Sequence, residues 1–133
     1  MTAETIGQNR VVLIIEDDSV IAYDIAAAFS DAGWQVREAE SATEALALLS
    51  AGDPIDALFT DIDLDGPATG WDVAEAFRAT HPQLAVMYTS GISRTHCRAV
   101  DGSLFFAKPY DAAEIIGACR NLLRNPAGSQ ASH

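Results

Sequence analysis

The feature that most constrains this chain is the run Val11-Val-Leu-Ile-Ile15, continuous, apolar and rich in β-branched residues, which stops abruptly at Glu16-Asp17-Asp18. An apolar run without alternation suits a strand covered on both faces, as in a parallel sheet between helical layers. The same construction returns at Ala57-Leu-Phe-Thr-Asp61, which ends in three alternating acids and a glycine, Asp61-Ile-Asp63-Leu-Asp65-Gly66. It returns again at Ala85-Val-Met-Tyr-Thr89, ending in Thr89-Ser90-Gly91, and at Leu104-Phe-Phe-Ala107, ending in Lys108-Pro109.

Helical patterns lie between these runs. Ser19 is placed to cap a helix with apolar positions Ile21, Ile25, Ala28 and Phe29, and Gly33 stops it. Trp34-Gln-Val-Arg-Glu38 alternates weakly and reads as a short, exposed strand at a sheet edge. Ser41-Ala-Thr-Glu44 is a capping box, followed by an apolar stripe of Ala42, Ala45, Leu46 and Leu49 that ends at Gly52-Asp-Pro54. A helix is expected from Trp71 to Thr80 with Val73, Ala76 and Phe77 on one side, closed by His81-Pro82. Asp111 and Glu114 form a second capping pair before a last helix with Ile115, Cys119 and Leu122 facing inward.

Five strands alternating with helices predict an α/β sandwich with a parallel sheet and right-handed crossovers. From Ile92 to Ser103 helical periodicity is weak and Val-Asp-Gly-Ser signals a turn, so the fourth helix is expected to be short, irregular or absent. The expected organisation is a flexible N-terminus at 1–9, one domain at 10–124 and a disordered tail at 125–133, with no second domain.

At 133 residues and 14.1 kDa the chain has the mass for one core. No apolar run approaches the roughly 20 residues that span a bilayer, which excludes membrane insertion by a helix. A net charge of −11 argues against direct nucleic-acid binding, because the molecule repels a phosphate backbone. The N-terminus lacks the basic start and apolar middle of a secretory signal, so a cytoplasmic location is expected. Cys97 and Cys119 show no metal-ligand spacing and read as packing residues; His81, His96 and His133 receive no catalytic role.

The polar residues that matter cluster at the carboxyl ends of the strands, where open α/β sheets bind ligands. Glu16 and Asp17 end the first strand, Asp61 the third, Thr89 the fourth and Lys108 the fifth. Converging acids repel one another unless a cation joins them, and Mg²⁺ fits a site of carboxylates shared with a phosphate. With that charge neutralised, one carboxylate can attack phosphorus, which makes Asp61 the candidate phosphoryl acceptor. Lys108 and the Thr89 hydroxyl are then suited to the phosphoryl oxygens. Two such hydrogen bonds, about 3 to 6 kcal/mol together, are comparable with the roughly 5.5 kcal/mol needed to invert a 1:99 equilibrium.

From about Arg10 to Leu123 the sequence resembles the receiver domain of two-component response regulators. The matches, in order, are the strand ending Glu16-Asp17, the strand ending Asp61, Thr89 closing the fourth strand, Phe105 three residues before the lysine, and Lys108-Pro109. The resemblance implies strand order 2-1-3-4-5 with helices on both faces. It implies that Asp61 takes a phosphoryl group from a histidine kinase or histidine phosphotransfer protein, without being a turnover enzyme, and that a downstream protein reads the result. It further implies Mg²⁺, or Mn²⁺ in its place, held by Asp17, Asp61 and the main-chain carbonyl of Asp63 with Glu16 in the outer shell, and a coupled switch pair of Thr89 and Phe105. Two departures stand out: the loop from Asp61 to Gly70 is one residue longer than the common form, with Asp65-Gly66-Pro67 in place of Met-Pro-Gly, and the span from Thr89 to Lys108 is short. A stand-alone response regulator is the expected whole.

Three other readings compete. The acids at 61–66 fit half of an EF-hand loop, but a strand precedes them, Pro67 occupies the seventh position and Asp72 the twelfth. They also fit the Asp-x-Asp nucleophile of haloacid dehalogenase-like phosphatases, although Glu16-Asp17 then comes too early. A degenerate receiver that only binds protein is the third, set against the fact that every chemical position is filled.

Overall fold

The computed structural model describes residues 10–91 and 98–124. Its elements run β1 (Val11–Ile15), α1 (Ser19–Asp31), β2 (Gln35–Ala39), α2 (Ala42–Ala51), β3 (Ala57–Asp61), α3 (Gly70–Thr80), β4 (Ala85–Ser90), β5 (Leu104–Ala107) and α4 (Ala112–Arg124). All strand pairs are parallel and the order is β2-β1-β3-β4-β5. Strand order therefore reverses between β1 and β3, and the crevice at their carboxyl ends is the natural ligand site of such a sheet.

The continuous apolar runs bury both faces, as their lack of alternation predicts. Val12, Ile14, Ala57, Phe59, Ala85 and Met87 pack with Ile25 and Phe29 of α1 and Ile115 and Cys119 of α4. Leu13, Ile15, Leu58, Val86 and Tyr88 pack on the opposite face with Ala42 and Ala45 of α2 and Val73 and Phe77 of α3. Burial in the first layer pushes the Cys119 thiol up to about 12, which leaves it the inert packing residue expected. β2 is the exposed edge. Trp34 lies just before it and packs into the core, its ring edge-on to Phe29 at 5.3 Å.

Local signals differ from expectation in a few places. Asp18 caps α1 in place of Ser19: its Oδ1 accepts from the amides of Val20 at 3.0 Å and Ile21 at 3.2 Å, so Ser19 becomes the first helical residue. Ser41 Oγ does accept from the Glu44 amide at 3.1 Å, but the Glu44 carboxylate takes the amide of Glu40, one residue before the cap, at 2.8 Å. α3 carries a complete capping box, Thr69 with Asp72, at a spacing the sequence displays but with aspartate where glutamate or glutamine is usual. Ala74 and Trp71 are buried on α3 while Ala76 is only partly so.

Residues 98–103 form no helix and lead directly into β5. The rest of the connection expected to hold a short or irregular fourth helix, 92–97, lies outside the described residues, as do His96, Cys97, the N-terminal segment 1–9 and the tail 125–133. Among the described residues no helix is long and apolar enough to cross a membrane.

Candidate functional site

Each strand delivers its last residue to one edge because the backbone ladder runs to the tips. The Ile62 amide donates to Thr89 O at 2.9 Å and the Lys108 amide to Ser90 O at 3.0 Å, so β3, β4 and β5 stay in register past their formal ends. β1 continues likewise, with the Glu16 amide on Ala39 O. These bonds hold Glu16, Asp61, Thr89 and Lys108 around one crevice.

One carboxylate oxygen from each of Glu16, Asp17 and Asp61 lies within 4.8 Å of the others. Glu16 and Asp61 are buried and Asp17 is exposed. Lys108 Nζ bridges the two buried acids, 3.0 Å from Asp61 Oδ2 and 3.1 Å from Glu16 Oε1. Asp61 Oδ1 accepts from the Asp63 amide at 3.0 Å, and Glu16 Oε2 accepts from the Asp18 amide at 3.1 Å. Burial raises the Glu16 carboxyl above its ordinary value, with Asp61 adding to the rise against the pull of the Asp18 amide and Lys108. Burial works to lower the Lys108 ammonium, but its bonds to Asp61 and Glu16 outweigh that and leave it raised. Lys108 is the only lysine in the chain and is firmly a cation.

Three carboxylates against one ammonium leave two formal negative charges at the edge. All the donors are hard oxygens, and the remaining charge is what a divalent cation would neutralise, so the residues fit Mg²⁺. The Thr89 side-chain oxygen is buried and makes no hydrogen bond, a condition that costs about 1 to 3 kcal/mol unless a ligand supplies a partner. Its position opposite Asp61 in the β3–β4 register puts that capacity at the same edge.

Register also decides the faces of the paired phenylalanines. Phe105 stands opposite Tyr88 and packs on the α2–α3 layer, whereas Phe106 packs on the α1–α4 layer. Asp65 lies in the turn before Gly66, whose φ of 99° is the left-handed conformation that glycine tolerates.

Several contacts were not legible in the sequence. Ser90 Oγ donates to Asp63 Oδ2 at 2.6 Å, tying β4 to the loop after β3. Tyr110 packs edge-on to Phe59 at 5.5 Å, and burial, with Glu16 and Asp61 nearby, drives its phenol upward. Gly70 lies so close to β3 that an added Cβ would fall 2.3 Å from Asp61 O. The helix expected from Trp71 to Thr80 begins one residue earlier, at Gly70.

The chain is thus a doubly wound parallel sheet that carries an acid cluster and a bridging lysine at the carboxyl ends of its strands. The family described as the response regulator receiver domain matches residues 12–120, and the chain belongs to it. Among curated proteins it is 33% identical over 120 residues to the acid tolerance regulatory protein ActR of Sinorhizobium medicae (strain WSM419), covering 87% of this chain and 61% of that one. The chain thus spans about three-fifths of the length of that relative. It is 24% identical over 129 residues to the sensor kinase CckA of Brucella abortus (strain 2308), covering 91% of this chain and 13% of the kinase. A response regulator receiver protein from Sinorhizobium medicae WSM419 superposes with a TM-score of 0.83 at 30% identity, covering 86% of this chain and 94% of the other. The response regulator TrrA of Thermotoga maritima, solved with Mg²⁺ and BeF, shares the fold at a TM-score of 0.76 and 20% identity, covering 86% of this chain and all of the other.

Proposed function

We propose that Asp61 accepts a phosphoryl group from the phosphohistidine of a histidine kinase or histidine phosphotransfer protein, and that the acyl phosphate switches the domain to control a protein partner. The observation that carries this is Lys108 Nζ, 3.0 Å from Asp61 Oδ2, at a cluster of three carboxylates whose charge one lysine leaves unbalanced. An Asp61 oxygen attacks phosphorus; an O–P bond forms as the P–N bond breaks, and the imidazole nitrogen keeps the electron pair. Hydrolysis later cleaves the acyl phosphate and returns the carboxylate, so the domain is a phosphoprotein and not a turnover enzyme.

Asp17, Asp61 and the Asp63 carbonyl would hold Mg²⁺, with Glu16 behind them. When bound, the ion neutralises the phosphoryl oxygens and helps align donor and acceptor. Lys108 leaves its place between Glu16 and Asp61 to bind a phosphoryl oxygen, and Thr89 donates its unused hydroxyl to another. Phe105, on the α2–α3 layer opposite Tyr88, follows Thr89 as the other half of the switch. The Mg²⁺–BeF complex of TrrA supports the reading, since that protein holds a metal and a phosphoryl mimic on the same fold.

The test is Mg²⁺-dependent acyl-phosphate formation from acetyl phosphate or a phosphorylated kinase, read as a mass gain that hydroxylamine removes. Asp61→Asn is expected to abolish it. An unchanged mass gain in that variant would refute Asp61 as acceptor.

A further inference from the structure

Residues 98–103, which lead into β5, are strapped to α3 and to β4 by contacts that reach the carboxyl edge of the sheet. Arg98 Nη2 is 2.8 Å from Asp72 Oδ1 and 2.8 Å from Glu75 Oε1, and its Nε donates to Glu75 Oε2 at 3.2 Å. Arg78 of α3 donates to Asp101 O at 2.7 Å and to Leu84 O at 2.9 Å. Between these clasps the Val100 amide donates to the Tyr88 phenol oxygen at 3.1 Å. Ala99, Val100 and Phe105 lie against the same core layer as Tyr88.

Tyr88 is fully buried, adjoins Thr89 in β4, and its ring lies 4.7 Å from Trp71 in the first turn of α3. That turn begins at Gly70, whose amide bonds Ile62 O directly after Asp61. The strap is therefore tied to both arms of the site: to β4 through the Tyr88 hydroxyl, and to α3 through the arginines. The Arg98 clasp is the weaker tie, because its partners stand in water, with Arg98, Asp72 and Glu75 side chains 43%, 41% and 46% exposed. Exposed pairs of this kind contribute little and are screened by salt.

We infer that residues 98–103 form a phosphorylation-sensitive latch on α3, with Tyr88 as the residue that couples it to Thr89 and Arg98 as its clasp. The inference rests on the phosphoacceptor reading. When Thr89 turns its unpaired hydroxyl to the phosphoryl group, the end of β4 shifts and Tyr88 shifts with it. The phenol then draws away from the Val100 amide, and the strap is left to the exposed Arg98 pairs and the Arg78 bond to Asp101 O. The face that changes with phosphorylation is accordingly the strap and the first two turns of α3.

The test uses the full chain, with Mg²⁺ and beryllofluoride as the phosphoryl probe. Site occupancy is read from ¹⁹F NMR and latch opening from Val100 amide hydrogen exchange. On binding, Val100 exchange is expected to accelerate about two- to twelvefold, the factor that loss of one hydrogen bond gives. Arg98→Gln should raise exchange over residues 99–103 before any ligand is added, and raised NaCl should do the same in the unmodified protein. Tyr88→Phe should bind beryllofluoride unchanged, yet show fast Val100 exchange that the ligand no longer alters. Occupancy by ¹⁹F with unaltered Val100 exchange in the unmodified protein overturns the latch and leaves the phosphoacceptor reading intact. Failure of beryllofluoride to bind at all overturns both.

Discussion

Gly70 packs directly against the main chain of Asp61 and Ile62, and replacing it by alanine tests that closeness. An alanine Cβ would fall 2.3 Å from Asp61 O, 2.8 Å from Ile62 Cα and 3.0 Å from Asp61 C, all main-chain atoms with no side-chain freedom to yield. Forced overpacking of this kind costs about 1 to 3 kcal/mol. Against it stands the usual gain from alanine over glycine in a helix, roughly 0.5 to 1 kcal/mol. Gly117 in α4 supplies the control, because a Cβ there meets nothing within 4 Å and only the gain remains. Gly70→Ala is expected to lose as much as about 2.5 kcal/mol, the difference between the steric cost and that gain, and Gly117→Ala to gain about 0.5 to 1 kcal/mol. Urea unfolding followed by far-ultraviolet circular dichroism measures both, and a change in midpoint at constant slope isolates stability. Gly70→Ala should also slow acyl-phosphate formation, since relief of the clash must move either α3 or the Asp61 carbonyl. If Gly70→Ala proved as stabilising as Gly117→Ala, the close packing of α3 on β3 would be wrong.

Three further outcomes follow from the packing and charges. Mg²⁺ at ten times its dissociation constant should stabilise the protein by RT ln(1 + [L]/Kd), about 1.4 kcal/mol, and Asp17→Asn should abolish the increment in a thermal melt. The Asp72 carboxyl is held down to about 2, below the 3.8 of a free aspartate, first by the Thr69 amide and then by Arg98. A depressed folded-state value stabilises above pH 3.8 and loses that effect as pH falls through 2, so the stability difference between wild type and Asp72→Asn should be constant above about pH 5 and shrink below pH 3.8 in acid unfolding curves. Phe29→Ala, at a fully buried side chain packed on Trp34, should lose about 3 to 5 kcal/mol in urea unfolding.

Much of this protein could be read from local pattern. An apolar run ends where the chain leaves the interior, so the tips of β1, β3, β4 and β5 were visible in sequence, and with them Glu16, Asp17, Asp61, Thr89 and Lys108. Capping was less secure. Asp18 and Ser19 are both competent caps, and which one serves depends on where the chain turns off β1. The end of β2 moved by one residue because its pairing with β1 follows the register Val11 with Gln35, which local alternation does not specify.

What only the tertiary structure decided are relations between strands and across helices. Lys108 sits between Glu16 and Asp61 because β1, β3 and β5 end at one edge, a matter of strand order. The face of Phe105 follows from its pairing with Tyr88, and a shift of one residue would exchange it with Phe106. The Ser90–Asp63 bond, the approach of Gly70 to Asp61 and the Arg98 strap on α3 join residues with no fixed spacing in sequence. Sequence alone fixes which groups reach the edge, since burial ends locally; their partners depend on distances that only the folded sheet sets.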